Sequence, residues 1–164
     1  MNLQSLSNFC GKLNLGGLIT LEYAPTRWIN RGAYEQIISA GYNWQKTVLF
    51  NYGDWLTAPV LIKGKLWKES YKRNKQGGYY SQDVNGILPF MRPEVSGEFD
   101  KMERLTFLLK LKDGNGKDWL LGTLDSPFEF QVKNTTGGEG DLNHYAIRFV
   151  SETAKKAFGY VPVI

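Results

Sequence analysis

The chain has one cysteine, Cys10, and one histidine, His144. A lone cysteine excludes an internal disulfide, and the two residues together cannot supply the converging ligands of a Cys/His zinc site. No apolar stretch approaches the roughly 18 residues that a membrane helix needs. The N-terminus lacks a charged segment followed by a long apolar run, so no secretory signal is read there. A Gly-x-Ser-x-Gly elbow is missing, and so is the GK[ST] ending of a phosphate-binding loop. These absences predict a soluble protein made in a reducing cytosol, without a membrane partner, without a metal or other cofactor, and not an enzyme.

What is present fits one domain. A chain of 164 residues is long enough for a single core, and 42% hydrophobic against 22% charged residues excludes wholesale disorder. The aromatic share of 14% favours pleated surfaces, and 18 glycines fit a chain with many turns. The net charge of +4 is mild, and acids are interspersed with the bases, unlike the concentrated charge of most nucleic-acid binders. No linker or internal repeat is visible. The reading is one β-rich domain over residues 1–164, with an N-terminal arm to about residue 16 and an extended apolar tail from about residue 159.

The most legible stretch is Met102 to Val132. A strand runs to Lys112, Asp113-Gly114-Asn115-Gly116 turns it back, a second strand covers Lys117 to Thr123, and a third begins after Pro127. The order predicts a meander. Leu18 to Tyr23 has strand composition, and Thr47 to Phe50 is another strand candidate. A short helix is predicted around Ala33 to Ser39. Pro59 to Lys72 alternates, with Val60, Ile62, Leu66 and Lys68 on one side and Leu61, Lys63, Trp67 and Glu69 on the other; the first side is read as the buried one. With Tyr79 to Pro89 this strand makes a long hairpin. Glu94 to Asp100 reads as a further strand or edge segment. Asn134 to Asn143 is polar and glycine-rich, an exposed loop. His144 to Val150 alternates Tyr145, Ile147 and Phe149 against polar neighbours, and Ser151 is placed to cap a short helix over Ala154 to Ala157.

Few residues offer chemistry. Asp113 to Gly116 resembles the start of a calcium loop but lacks its later acids, so it is read as a turn. His144 is read as an exposed residue at a strand start. Asp83, Glu94, Glu98 and Asp100 are candidates for paired carboxylates, with solvated edge charges as the alternative. Gly137 to Gly140 is read as a loop rather than a phosphate cradle. Trp67 and Tyr71, interleaved with Lys65, Lys68, Lys72 and Arg73, have the composition of a base-stacking, phosphate-holding strand; the alternative is a hairpin with a solvated face and a basic tip. Trp28, Tyr34, Tyr42 and Trp44 are a sugar-platform candidate, against the alternative that they are core. No catalytic, cofactor-binding or metal-binding residue is assigned.

The order of pieces carries a resemblance. GGLITLEYA is followed by the pair GKLWKESYKRNKQGGYYSQDVNGILP, then MERLTFLLKLKDGNGKDWLLGTLDSPFEF, a glycine-rich loop, and HYAIRFVSE. The likeness is carried best from Lys63 to Phe149, by Gly77 to Gln82, Lys112 to Thr123 and Pro127-Phe128. It is similar to small virion structural proteins of tailed phages of Bacteroidetes, including crAss-like phages, of the neck-ring, tail-tube and tail-completion types. That resemblance implies an antiparallel β-sandwich or barrel with a long hairpin and one or two short helices. It also implies a structural subunit of a phage virion neck or tail, a homo-oligomer assembled in the bacterial host cytoplasm. Its implied partners are identical subunits in a ring and adjacent portal, neck or tail proteins, with DNA passing through the channel without specific binding. The alternative function is a nucleic-acid-binding β-barrel module.

Overall fold

Strand β1 (Leu18–Pro25) leads into a 3-10 turn (Thr26–Trp28) and helix α1 (Arg31–Ser39). There follow β2 (Leu56–Thr57), β3 (Leu66–Asn74), β4 (Gly77–Pro89), helix α2 (Pro93–Met102), β5 (Thr106–Asp113), β6 (Asp118–Leu121), β7 (Phe128–Thr135), β8 (His144–Thr153) and β9 (Phe158–Gly159). This computed structural model describes residues 16–39, 49–61, 66–136 and 143–159. Nearly all of the expected N-terminal arm and C-terminal tail, and the tip of the glycine-rich loop, therefore lie outside the described residues. The strands form one antiparallel sheet in the order β2-β1-β5-β7-β8-β4-β3, with β6 on β5 and β9 on β6. The fold is mainly antiparallel β with two short α-helices, as the strand composition predicts.

Alternation sets which side chains meet. Tyr145, Ile147 and Phe149 of β8 lie on the inner face with Val84 and Leu88 of β4 and Phe130 of β7, all buried. Strand β5 is covered on both faces, which is why its sequence is a near-continuous apolar run. Phe107, Leu109 and Leu111 join the main core, whereas Leu108 joins a second cluster with Ala24, Ile29, Tyr34, Leu49, Leu120 and Phe158. Helix α1 reaches that second cluster through Tyr34, whose hydroxyl donates to the Gly122 carbonyl at 3.1 Å. On the same side the register partners Glu22 and Lys110 form an ion pair of 2.8 Å between β1 and β5.

The sheet curls until β3 comes against β6. Trp67 of β3 packs on Trp119 of β6, with ring centroids 5.7 Å apart. No ladder pairs β3 with β6 or β9 among the described residues, so side chains close this seam. The fully buried Gln82 amide donates to Glu69 Oε2 at 2.7 Å and accepts from the Gly122 N–H at 3.3 Å. The Ala157 N–H donates to the same Glu69 oxygen at 2.8 Å. One amide and one carboxylate thus tie β3 and β4 to the ends of β6 and β8.

Four sequence expectations are corrected. The Met102–Val132 segment is not a meander: β6 pairs with Leu109 to Lys112 of β5, and β7 pairs with Thr106 and Phe107 on the same edge. Gly122, at φ 85, turns the chain out of β6, and a Cβ there would lie 2.9 Å from the Phe128 ring. Glu94 to Asp100 is helix, not strand: Pro93 starts α2, and Val95, Phe99 and Met102 fall on one face, against the core. Ser151 caps nothing, because β8 continues through Thr153 and the Ser151 hydroxyl donates to the Ser126 carbonyl at 2.9 Å. Finally, β3 buries the opposite side from that expected. Trp67 and Glu69 face inward and Leu66 is 46% exposed, because the Trp119 ring and the buried Gln82 stand on the inner side. Of the Thr47–Phe50 candidate, the described part is an isolated bridge between Ile29 and Phe50.

The seam predicts a specific loss. Gln82→Leu keeps the volume but strands the Gly122 N–H and takes one donor from Glu69, at a cost of about 2–3 kcal/mol. Urea denaturation measures it; a cost below about 0.5 kcal/mol would show that the tryptophan pair closes the seam unaided.

Candidate functional site

The β3–β4 hairpin is the most prominent surface feature. Its ladder runs from Leu66↔Asn85 to Asn74↔Gly77. The last β4 residue paired to β8 on the other side is Tyr80, opposite Thr153, so Gly77 to Tyr79 reach past the sheet. The turn is set by Asn74, whose Oδ1 accepts from the Gln76 N–H at 2.9 Å, and by Gly77 at φ 133. Tyr71 lies across the tip so closely that a Cβ on Gly78 would stand on its hydroxyl oxygen, and its ring meets Tyr80 at 5.3 Å. Lys156 sits over the Tyr80 ring at 5.7 Å. Arg73 and Lys75 are exposed near this aromatic pair at the hairpin tip, and Lys72 is exposed on the opposite face. Strand β3 is terminal in the sheet order, so its outer backbone edge has no ladder partner among the described residues.

The base-stacking set comes apart on this hairpin. Trp67 is packed on Trp119, and its buried indole N–H has no acceptor among the described residues. Of the two aromatics in the set, only Tyr71 is exposed. Alternation sends Lys68 and Lys72 to one face and Tyr71 and Arg73 to the other, so the bases form no single stripe. Lys65 lies outside the described residues. In the sugar-platform set, Tyr34 is buried, Trp28 packs on Tyr52 at 5.9 Å, and Tyr42 and Trp44 lie outside the described residues.

A polar groove of about 640 Å³ crosses the outer face of β4, β8 and β7. Its centre is Asp83, whose carboxylate accepts from Arg148 Nε at 3.1 Å to both oxygens and also from Arg148 Nη2. Asn85 donates to the same carboxylate at 2.8 Å. The Arg148 hydrogen bond is the largest influence on Asp83 and holds its carboxyl below the usual carboxylate range, although burial opposes it; the same bond raises the Arg148 pKa. Lys72, Ser81, Ser126, Glu129 and Glu152 complete the rim. The arrangement is a fork-to-fork ion pair under open solvent, not a nucleophile with a base. His144 stands at the start of β8, outside the groove.

The remaining sequence candidates are scattered. Glu94, Glu98 and Asp100 lie exposed on α2, and Glu98 pairs with Lys101 at 2.6 Å, away from Asp83. Asp113 makes a turn: Oδ1 accepts from the Asn115 and Lys117 N–H groups at 2.9 Å each, and Oδ2 accepts from the Trp119 indole at 3.0 Å. Burial pushes its carboxyl up, but these hydrogen bonds outweigh it and the group titrates low. No cluster of His, Cys, Asp and Glu with metal-binding geometry occurs among the described residues. Gly137 to Gly140 lies outside them. The sequence reading missed the Asp83–Arg148 pair, because its members are 65 positions apart and meet only through the β4–β8 register.

The ion pair makes a signed pH prediction. Asp83 has a depressed folded-state pKa, so its stabilisation is full above the unfolded carboxyl value, about 3.9, and is lost as pH falls through the lower folded value. Asp83→Asn should therefore cost about 1 kcal/mol at neutral pH, and the difference from wild type should shrink towards pH 2, read from thermal unfolding across that range. An undiminished difference at low pH would assign the loss to packing instead. No family model, no curated protein and no solved structure matches this chain.

Proposed function

We propose that this chain is a structural subunit that associates with copies of itself. We further propose that it serves as a ring-building component of a phage neck or tail, around a channel through which DNA passes. The observation that carries self-association is the edge of β3. Nine residues of strand present a backbone edge with no ladder partner among the described residues, on a hairpin whose tip reaches past the sheet, with Leu66 and Tyr71 exposed beside it. A free edge of that length is a template for a neighbouring chain, and Lys68 and Lys72 along it disfavour indiscriminate pairing while leaving room for a charge-matched partner. The opposite terminal strand, β2, has only two residues. The two ends of the sheet are therefore unlike, which suits a heterologous contact of the kind that closes rings. The virion setting comes from the resemblance of residues 63–149, with which the long hairpin is consistent.

The test is mass. Native mass spectrometry of the purified protein, and of particles assembled with their portal and tail proteins, should show one discrete closed oligomer. A chain that stays monomeric at high concentration and is missing from such particles would overturn the reading. DNA affinity that falls steeply with salt and is lost in Lys72→Glu and Arg73→Glu would favour the nucleic-acid-binding alternative.

A further inference from the structure

Asparagine followed by glycine is chemically labile. The glycine backbone nitrogen can attack the asparagine side-chain carbonyl, and glycine, lacking a Cβ, hinders that approach least. The chain has two such pairs, Asn85-Gly86 and Asn115-Gly116, and one pair of the related Asp-Gly kind, Asp113-Gly114. In sequence the three are alike. The fold separates them.

Asn85-Gly86 lies inside β4, flanked by a strand on each side. Asn85 pairs with Leu66 of β3 and with Arg148 of β8, and Gly86 pairs with Ile147. The Asn85 amide donates to Asp83 Oδ1 at 2.8 Å, which holds the side chain. Gly86 is buried, and Val60 packs on it so closely that a Cβ there would lie 2.7 Å from Val60 Cγ1. Closing a ring through this peptide would require the ladder to open. Asp113-Gly114 is protected differently. An ionised carboxylate is a poor electrophile, its two oxygens accept from Asn115, Lys117 and Trp119, and the Gly114 N–H donates to the Gly17 carbonyl at 2.9 Å.

Asn115-Gly116 has neither protection. Both residues are exposed, and they lie beyond the last ladder pair of the hairpin, Lys112 with Asp118. A Cβ built on Gly116 would meet nothing within 4 Å among the described residues, so there is room for a ring. The Gly116 N–H donates to the Asp113 carbonyl at 3.0 Å, a bond within an exposed turn, which opens at far lower cost than a ladder. We propose that Asn115 is a site of spontaneous deamidation in the folded protein, while the strand protects Asn85.

The step balances with water alone. The Gly116 nitrogen loses its proton to hydroxide and bonds to Asn115 Cγ. The Cγ–Nδ2 bond breaks and ammonia leaves, giving a five-membered succinimide. Water then adds to one of the two ring carbonyls. One opening restores the ordinary backbone with an aspartate; the other routes the backbone through Cβ as isoaspartate. Either product places a new carboxylate beside Asp113, and isoaspartate also shifts the N–H groups that Asp113 accepts from. Asp113 anchors the Trp119 indole, and Trp119 is the seam partner of Trp67. Modification at the turn therefore loosens the seam.

The experiment incubates the full-length chain at mildly alkaline pH, native and in urea, and follows each site by peptide mass spectrometry over time. In the native protein Asn115 should convert at least about tenfold faster than Asn85, because a turn and a ladder differ in their opening energies. In urea the two sites should convert at comparable rates. Conversion at Asn115 should quicken as pH rises, since the attacking nitrogen must lose its proton. Equal native conversion at the two sites overturns the proposal. So does a native Asn115 that stays intact while the urea-unfolded chain is consumed. Aged wild type should unfold at a lower temperature than fresh protein. Asn115→Gln, whose longer side chain closes a ring far more slowly, should keep its unfolding temperature through the same ageing. An equal fall in Asn115→Gln overturns the link from the turn to the seam.

Discussion

The fold depends on one buried amide. A sheet that curls without meeting edge to edge must close through side chains, and Gln82 makes that closure directional. Its two ends are chemically different, so it fixes a donor on Glu69 and an acceptor for Gly122 at the same time. A purely apolar seam of Trp67 on Trp119 would permit sliding. The amide specifies which residues of β3, β4 and β6 face one another, and through Glu69 it also fixes the start of the segment that carries β9. Register in the rest of the sheet follows from ordinary alternation once this seam is set.

Within the core a separate chain of aromatic contacts leads to the start of α2. Phe107 meets Phe149 edge-on at 5.8 Å, Phe149 meets Phe130 at 5.0 Å, Phe130 meets Phe99 at 5.4 Å, and Phe99 meets Tyr145 edge-on at 5.0 Å. Tyr145 is where the apolar core ends and polar fixing begins, since its hydroxyl serves three partners at the entry to α2. Helix α2 lacks a side-chain cap of its own, and this tyrosine takes over that task from across the sheet. The entry to α2 is therefore placed by core packing rather than by loop chemistry.

What the sequence made legible was local. Alternation in His144 to Val150 and the Asp113 to Gly116 turn translate directly into structure, because both depend on neighbours a few residues away. What it concealed was decided at a distance. The pattern around Leu66 and Trp67 supports either face as the inner one, and only Trp119, some fifty residues on, chooses. The segment after Pro93 has polar residues mixed with Val95 and Phe99, a spacing of four that belongs to a helix, yet its strand-rich setting pointed the other way. The fork at β5 was hidden because a four-residue β6 leaves half of that edge free, and β7 returns to fill it. The same limit applied to the surfaces: the basic run was readable, but its division between two faces was not.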